Sequence, residues 1–221
     1  MRGFITLIMI CFGVLGTMRA QDGAANVDTR PMWGVKAAFD CNIPGNWHND
    51  GSSIKMFDHG YGASLGAVCN IYLVDGFYFE PGLSFYYDSY AYNDLIIPNE
   101  DTVVESPSIF KAGLRVPLVA GYAFDITENL SMVVFTGPEL SYAFAGKIRL
   151  PNDGNWDDFD DSLFGRNGQR RVDLAWKFGF GVPFSDSWLL SLDASIGVTD
   201  LLPGPTSFRE NRVCLSVTRY F

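Results

Sequence analysis

Histidine is nearly missing from this chain, and so is any long apolar run beyond its N-terminal segment. His48 and His59 are the only histidines among 221 residues, and no Cys and His pairs stand at the spacing of a zinc site. Basic residues are scarce as well. Sixteen Lys and Arg face 25 Asp and Glu, for a net charge of −9. Binding to a phosphate backbone runs on Lys and Arg, so this balance argues against nucleic acid as a partner. After the N-terminus no stretch is apolar for the ~20 residues that a spanning helix needs. That absence excludes helical spans alone, because a barrel strand crosses a membrane with ~9–11 alternating residues. No internal repeat is visible.

What the chain does have is alternation. Trp33, Val35, Ala37 and Phe39 alternate with Gly34, Lys36, Ala38 and Asp40, the period of two that marks a strand. The pattern recurs over Tyr61–Ile71, Phe77–Asp88, Ile109–Tyr122, Leu130–Phe144, Val172–Gly181, Leu190–Val198 and Arg212–Phe221. One face is apolar in each. The other is glycine or a small residue, punctuated by charges of both signs. A soluble sandwich or lipocalin would instead carry Lys, Glu and Thr on its solvent face, so the apolar face is expected to point outward. Pro81, Pro117 and Pro138 fall within these strands, where a missing N–H predicts bulges or local strand ends.

The connections alternate in length. Asn42–Gly60, Ser89–Pro107, Ala145–Arg170 and Asp200–Asn211 are long, while Leu73–Gly76, Ala123–Asn129 and Pro183–Ser187 are short. Tight periplasmic turns and extended outer loops characterise an up-and-down barrel of the bacterial outer membrane. The expected fold is therefore all-β, an eight-stranded antiparallel up-and-down transmembrane β-barrel at the bacterial cell outer membrane. Aromatic residues make up 15% of the chain, enough for girdles at both interfaces.

The N-terminus fits export. Met1 and Arg2 precede an apolar run from Phe4 to Leu15 and a small-residue exit through Gly16, Thr17 and Ala20. Residues 1–20 read as a signal peptide, residues 21–32 as a short periplasmic lead, and residues 33–221 as the barrel domain. Cys11 has no small residue before it, which speaks against a lipoprotein. Cys41, Cys69 and Cys214 remain after cleavage. Cys41 and Cys214 fall near the outer ends of the first and last strands but with opposite parity, so no disulfide is expected.

Eight strands enclose an interior just wide enough for side chains to fill. Alternation sends Lys36, Asp40, Glu80, Lys111, Arg115, Glu139, Asp173, Lys177 and Asp193 inward as a lumen charge network. Opposite charges in so narrow a space must pair, since an unpaired buried charge costs several kcal/mol. Arg115 with Glu80 or Glu139 is the first pair expected. A filled polar core is one reading of this set, and a thin ion path gated by pair switching is the other.

The loops offer less. Asp153–Asp161 opens like a calcium loop, but Asp158 and Phe164 stand where Gly and Glu would be needed, so that motif fails. A loose divalent-ion site remains open there beside the plainer reading of a solvated acidic loop. Trp47, Trp156 and Phe159 could meet a glycan or a protein partner or simply anchor their loops. Some small outer-membrane barrels are lipid-modifying hydrolases using Ser, His and an acid. His59 beside Asp58, with Ser52 or Ser53, is the set from which such a site could be built. Nothing in the spacing requires it, and no catalytic residue, cofactor or metal is expected.

Four segments carry a resemblance. They are Leu114-Arg115-Val116-Pro117-Leu118, Thr136-Gly137-Pro138-Glu139-Leu140, Gly179-Phe180-Gly181-Val182 and Gly197-Val198-Thr199-Asp200-Leu201. In order and spacing they resemble the Bacteroidetes outer-membrane β-barrel families labelled porin-family or PorT-like proteins, from Trp33 to Phe221. The resemblance implies either a narrow-pore channel or an accessory barrel of a secretion apparatus. The terminal Val213, Leu215, Val217 and Phe221 resemble the signal read by the barrel-insertion machinery, with Phe221 as its last residue. Arg219 departs from that pattern, and near the interface it can snorkel to the headgroups. The expected function is a non-enzymatic structural or surface-interaction barrel with a plugged polar lumen. Its expected partners are outer-membrane lipids and lipopolysaccharide, the insertion machinery during assembly, and a protein or glycan at the outer loops.

Overall fold

The protein is described by a computed structural model covering residues 31–49, 52–55, 57–92, 108–127, 130–152, 155–159, 163–164, 168–202 and 207–221. The expected signal peptide and most of the expected lead lie outside the described residues, and Met32 opens the first strand. Eight long strands build the barrel: β1 (Met32–Pro44), β4 (Phe57–Val74), β5 (Phe77–Tyr92), β6 (Ser108–Thr127), β7 (Leu130–Asn152), β9 (Val172–Ser185), β10 (Trp188–Gly197) and β11 (Glu210–Tyr220). Two short strands, β2 (Trp47–Asn49) and β3 (Ser52–Ile54), form a small hairpin in the first outer loop. Another, β8 (Asn155–Phe159), pairs with the overhanging end of β7.

Each long strand pairs antiparallel with its neighbours in chain order. Closure comes from β1 against β11, running from Gly34 opposite Tyr220 to Pro44 opposite Glu210. No sheet edge is left in the ring, which is what a β-structure needs in a solvent without hydrogen-bonding groups. Asp75 and Gly76 join β4 to β5 with φ of 48° and 84°. Two consecutive positive φ values make the hairpin turn that suits the right-handed twist of its strands, and Asp-Gly is a favoured sequence for it.

The apolar face points outward. Trp33 is 63% exposed, while Asp40 and Thr218 inside are 1% and 0% exposed. This inverts the ordinary soluble arrangement and wraps the barrel in an apolar band far beyond what a water-soluble monomer presents. Aromatic rings border the band. Phe77 packs on Tyr122 at 4.7 Å and Phe184 on Trp188 at 6.1 Å near the short turns, while Phe39 stacks on Tyr61 at 5.8 Å and Tyr87 meets Phe110 at 6.0 Å near the long loops. Phe77 and Tyr87 lie on the same strand, separated by the ~10 residues a tilted strand needs to cross the hydrocarbon.

Two features depart from the sequence reading. The strands run through all three prolines without a register shift. Pro81 lies opposite Leu118, Pro117 opposite Glu139 and Pro138 opposite Trp176, and the pairing on either side keeps the same register. Each proline forgoes one ladder bond, a net loss of about 1 kcal/mol that the long ladder around it outweighs. The bulges lie elsewhere, between Ala112 and Gly113, for example. The strands also overrun the expected loops: β6 has 20 residues and β7 has 23, so their paired ends stand well outside the band.

Candidate functional site

The lumen is the site with the most chemistry. Of the residues expected there, Asp40, Glu80, Lys111, Arg115, Glu139, Lys177 and Asp193 are buried, and Lys36 and Asp173 are half-buried. Small residues flank the long charged ones across the ladder. Arg115 lies between Ser84 and Ser141, Asp40 between Gly62 and Cys214, and Lys177 between Gly137 and Ser195. That is the physical use of the glycine-rich inner face. It leaves room for a charged chain to cross the interior instead of lying along the wall. Inward aromatic rings fill the same kind of space: Tyr78 lies over Gly121, and Tyr86 over Gly113.

The pairs span the barrel. Arg115 on β6 donates through Nη1 to Asp40 Oδ2 on β1 at 2.7 Å and through Nη2 to Asp88. Its guanidinium also stacks on the Tyr86 ring, 4.1 Å from the centroid. Arg212 on β11 reaches across to Glu139 on β7, and its Nε lies 3.6 Å from Asp40. Lys177 stands 3.1 Å from Glu139 and 2.9 Å from Asp193. Nearer the outer end, Lys111 on β6 pairs with Glu210 on β11, which also accepts from Tyr90 Oη at 2.6 Å. Nearer the short turns, Tyr220 Oη on β11 donates to Glu80 on β5 at 2.6 Å, and Lys36 on β1 lies over the Phe135 ring on β7 at 5.6 Å. Contacts between strands that are not neighbours therefore recur along the axis.

The expected pairing of Arg115 is corrected: its hydrogen-bonded partners are Asp40 and Asp88, not Glu80 or Glu139. Glu80 belongs to Tyr220, and Glu139 to Arg212 and Lys177. Asp88, Glu210, Arg212, Tyr90 and Tyr220 complete the network. All five share the inward parity of their strands: Asp88, Arg212 and Tyr220 lie within the expected strands, and Tyr90 and Glu210 carry the alternation past their ends.

Apolar clusters flank the charges. At the outer end Phe57, Tyr90 and Ile109 from the strands meet Leu163, Leu201 and Phe208 from the loops. The two loops are tied together there by Arg170 N donating to Leu201 O at 2.7 Å. Toward the short turns Tyr78, Val119 and Phe135 form a smaller cluster with Val133. Between them lie two cavities of about 30 Å³, each with room for about two water molecules. Arg115 and Arg212 line both cavities.

Among the described residues no hydrogen bond joins Ser53, Asp58 and His59, and the side chain of Ser52 lies outside those described. Asp58 is engaged by Lys55 at 2.7 Å, the Ser53 hydroxyl accepts from Asn46 at 3.1 Å, and the His59 side chain is exposed. Among the described residues no group of three or more His, Cys, Asp or Glu side chains is arranged to hold a metal ion. Cys41, Cys69 and Cys214 are free thiols, with Cys41 opposite Val213 and Cys214 opposite Asp40. Asp153, Gly154, Asp160 and Asp161, and the side chains of Trp47, Trp156 and Phe159, lie outside the described residues.

A closed eight-stranded antiparallel barrel with an apolar exterior, aromatic girdles and a charged, side-chain-filled interior is an integral barrel of the bacterial outer membrane. The chain belongs to the family described as outer membrane protein beta-barrel domain, whose model matches residues 20–202. Solved structures with similar folds include neisserial surface protein A (11% identity, TM-score 0.45, covering 86% of this chain and 97% of that one). The outer membrane protein OprG of Pseudomonas aeruginosa is similar at 12% identity and TM-score 0.46, covering 87% and 97%. Ail of Yersinia pestis, in complex with the heparin analogue sucrose octasulfate, is similar at 12% identity and TM-score 0.41, covering 87% and 99%. No curated protein matches the chain in sequence.

Proposed function

We propose that this protein is a non-enzymatic, non-conducting barrel that serves the outer membrane as a structural or surface-interaction protein. The observation that carries this reading is the set of cross-lumen contacts between Arg115 and Asp40, Arg212 and Glu139, Lys111 and Glu210, and Tyr220 and Glu80. An apolar cluster lies on either side of them, and the two cavities lined by Arg115 and Arg212 are small, about 30 Å³ each. The exterior band meets lipid and lipopolysaccharide, Phe221 serves recognition by the insertion machinery, and the long outer loops present the surface for a protein or glycan. Planar-bilayer recording on the folded protein tests the reading, since a filled lumen passes no steady current. An unchanged lipid A profile in cells carrying His59→Ala would exclude the hydrolase alternative.

A narrow channel is the second reading, and one observation favours it. Arg115 and Arg212 line both cavities, so a path joining the two would depend on how these side chains are placed. The PorT-like resemblance supports a third role, as an accessory barrel of a secretion apparatus. In-cell crosslinking separates it, because an apparatus subunit captures the same partner repeatedly.

A further inference from the structure

Arg219 occupies an outward position of β11 where the strand otherwise presents apolar residues to lipid. Its cross-strand partners are Val35 on β1 and Trp188 on β10. The guanidinium lies 5.5 Å from the Trp188 ring centroid and 5.3 Å from that of Phe221, which is 72% exposed. Trp188 opens β10 directly after the short turn from β9, and exposed Trp33 stands on the adjoining strand. Arg219 is thus level with the aromatic girdle on the periplasmic side, at the depth of the headgroups. Among the described residues its guanidinium has aromatic faces for neighbours and no carboxylate partner.

We propose that Arg219, framed by Trp188 and Phe221, binds the headgroup phosphate of a phospholipid in the periplasmic leaflet. An arginine at mid-membrane on the lipid face of a barrel costs about 2–4 kcal/mol, falling to about 0–1 near the interface, so the position is tolerable where the charge reaches headgroups. The rings of Trp188 and Phe221 flank the guanidinium, and its fork of N–H donors matches the oxygens of a phosphate bidentately. Val217 and Leu215, with Ala37 and Phe39 opposite them on β1, continue the outward face toward the membrane centre, where the acyl chains of the same lipid would lie. The inference rests on the outer-membrane placement and is independent of whether the lumen conducts.

The test uses native mass spectrometry of the full protein in an alkyl glycoside detergent, which contains no phosphate. Phosphatidylglycerol, diacylglycerol with the same chains, and inorganic phosphate are titrated separately against wild type, Arg219→Leu and Arg219→Lys. Wild type should retain phosphatidylglycerol, and Arg219→Leu should bind it about ten-fold or more weakly, the scale of a lost charge-assisted hydrogen bond. Diacylglycerol should not distinguish the two proteins. Equal retention of phosphatidylglycerol by wild type and Arg219→Leu overturns the proposal. So does inorganic phosphate that displaces the lipid, which would mark a free-anion site. Should the leucine variant not fold, Arg219→Lys decides. Lysine lacks the planar fork and should bind several-fold more weakly, and binding equal to wild type overturns the assignment.

Discussion

Arg115 and Asp40 meet across the lumen at 2.7 Å, although they stand on β6 and β1, strands that share no ladder. The contact joins two walls of the barrel inside the membrane span. A second carboxylate, Asp88, holds the same guanidinium from the neighbouring strand. Such a buried group contributes little compared with an apolar filling, but its partners cannot easily be left without it.

Arg115→Ala should therefore destabilise the barrel by about 3–5 kcal/mol, because both carboxylates lose a buried partner. Asp40→Asn should cost less, since Arg115 keeps Asp88. Urea unfolding in lipid vesicles, followed by tryptophan fluorescence, measures both. An alanine variant as stable as wild type would show that the pair is not buried as described.

Tyr220→Phe removes only the hydroxyl that donates to Glu80. Leaving that buried carboxylate without the bond should cost about 1–3 kcal/mol, read in the same unfolding assay. Glu80→Gln, which keeps an acceptor for the hydroxyl, should be milder than Tyr220→Phe.

Gly121→Ala places a methyl group into the ring of Tyr78. The clash should cost about 1–3 kcal/mol, the usual scale of overpacking. Combining it with Tyr78→Ser, which removes the ring, should give a double variant more stable than the two separate losses predict when summed. Strict additivity would contradict the packing described.

Phe208→Ala with Leu201→Ala removes two of the three buried loop residues of the outer apolar cluster. Each should destabilise by about 2–5 kcal/mol. The double variant should still carry no steady current, because the pairs of Arg115 and Arg212 lie below that cluster.

The eight strands were legible because lipid outside and a filled lumen inside force opposite chemistry onto alternate residues. Trp33 through Asp40 shows this in one segment. Past the membrane the forcing stops, which is why the ends of β6 and β7 read as loop although their backbones go on pairing. The prolines misled for a related reason. A single missing donor is a local signal, and a ladder as long as that of β6 and β7 overrides it.

Inward parity identified most of the charged residues, yet not who pairs with whom. Partners across a barrel depend on the relative height of strands, which follows from tilt and stagger and not from order in the chain. Arg115 thus meets Asp40 and Asp88 where Glu80 or Glu139 was expected. Glu210 was passed over because Asp200–Asn211 read as loop, and the structure makes Glu210 the first residue of β11.

The most direct measurement is planar-bilayer conductance of the folded protein beside an Arg115→Ala variant. A lumen closed by cross-strand pairs and apolar clusters should give no steady current in either. Steady wild-type conductance, with a size or ion selectivity that changes in the variant, would contradict the closed lumen and make Arg115 part of an open path.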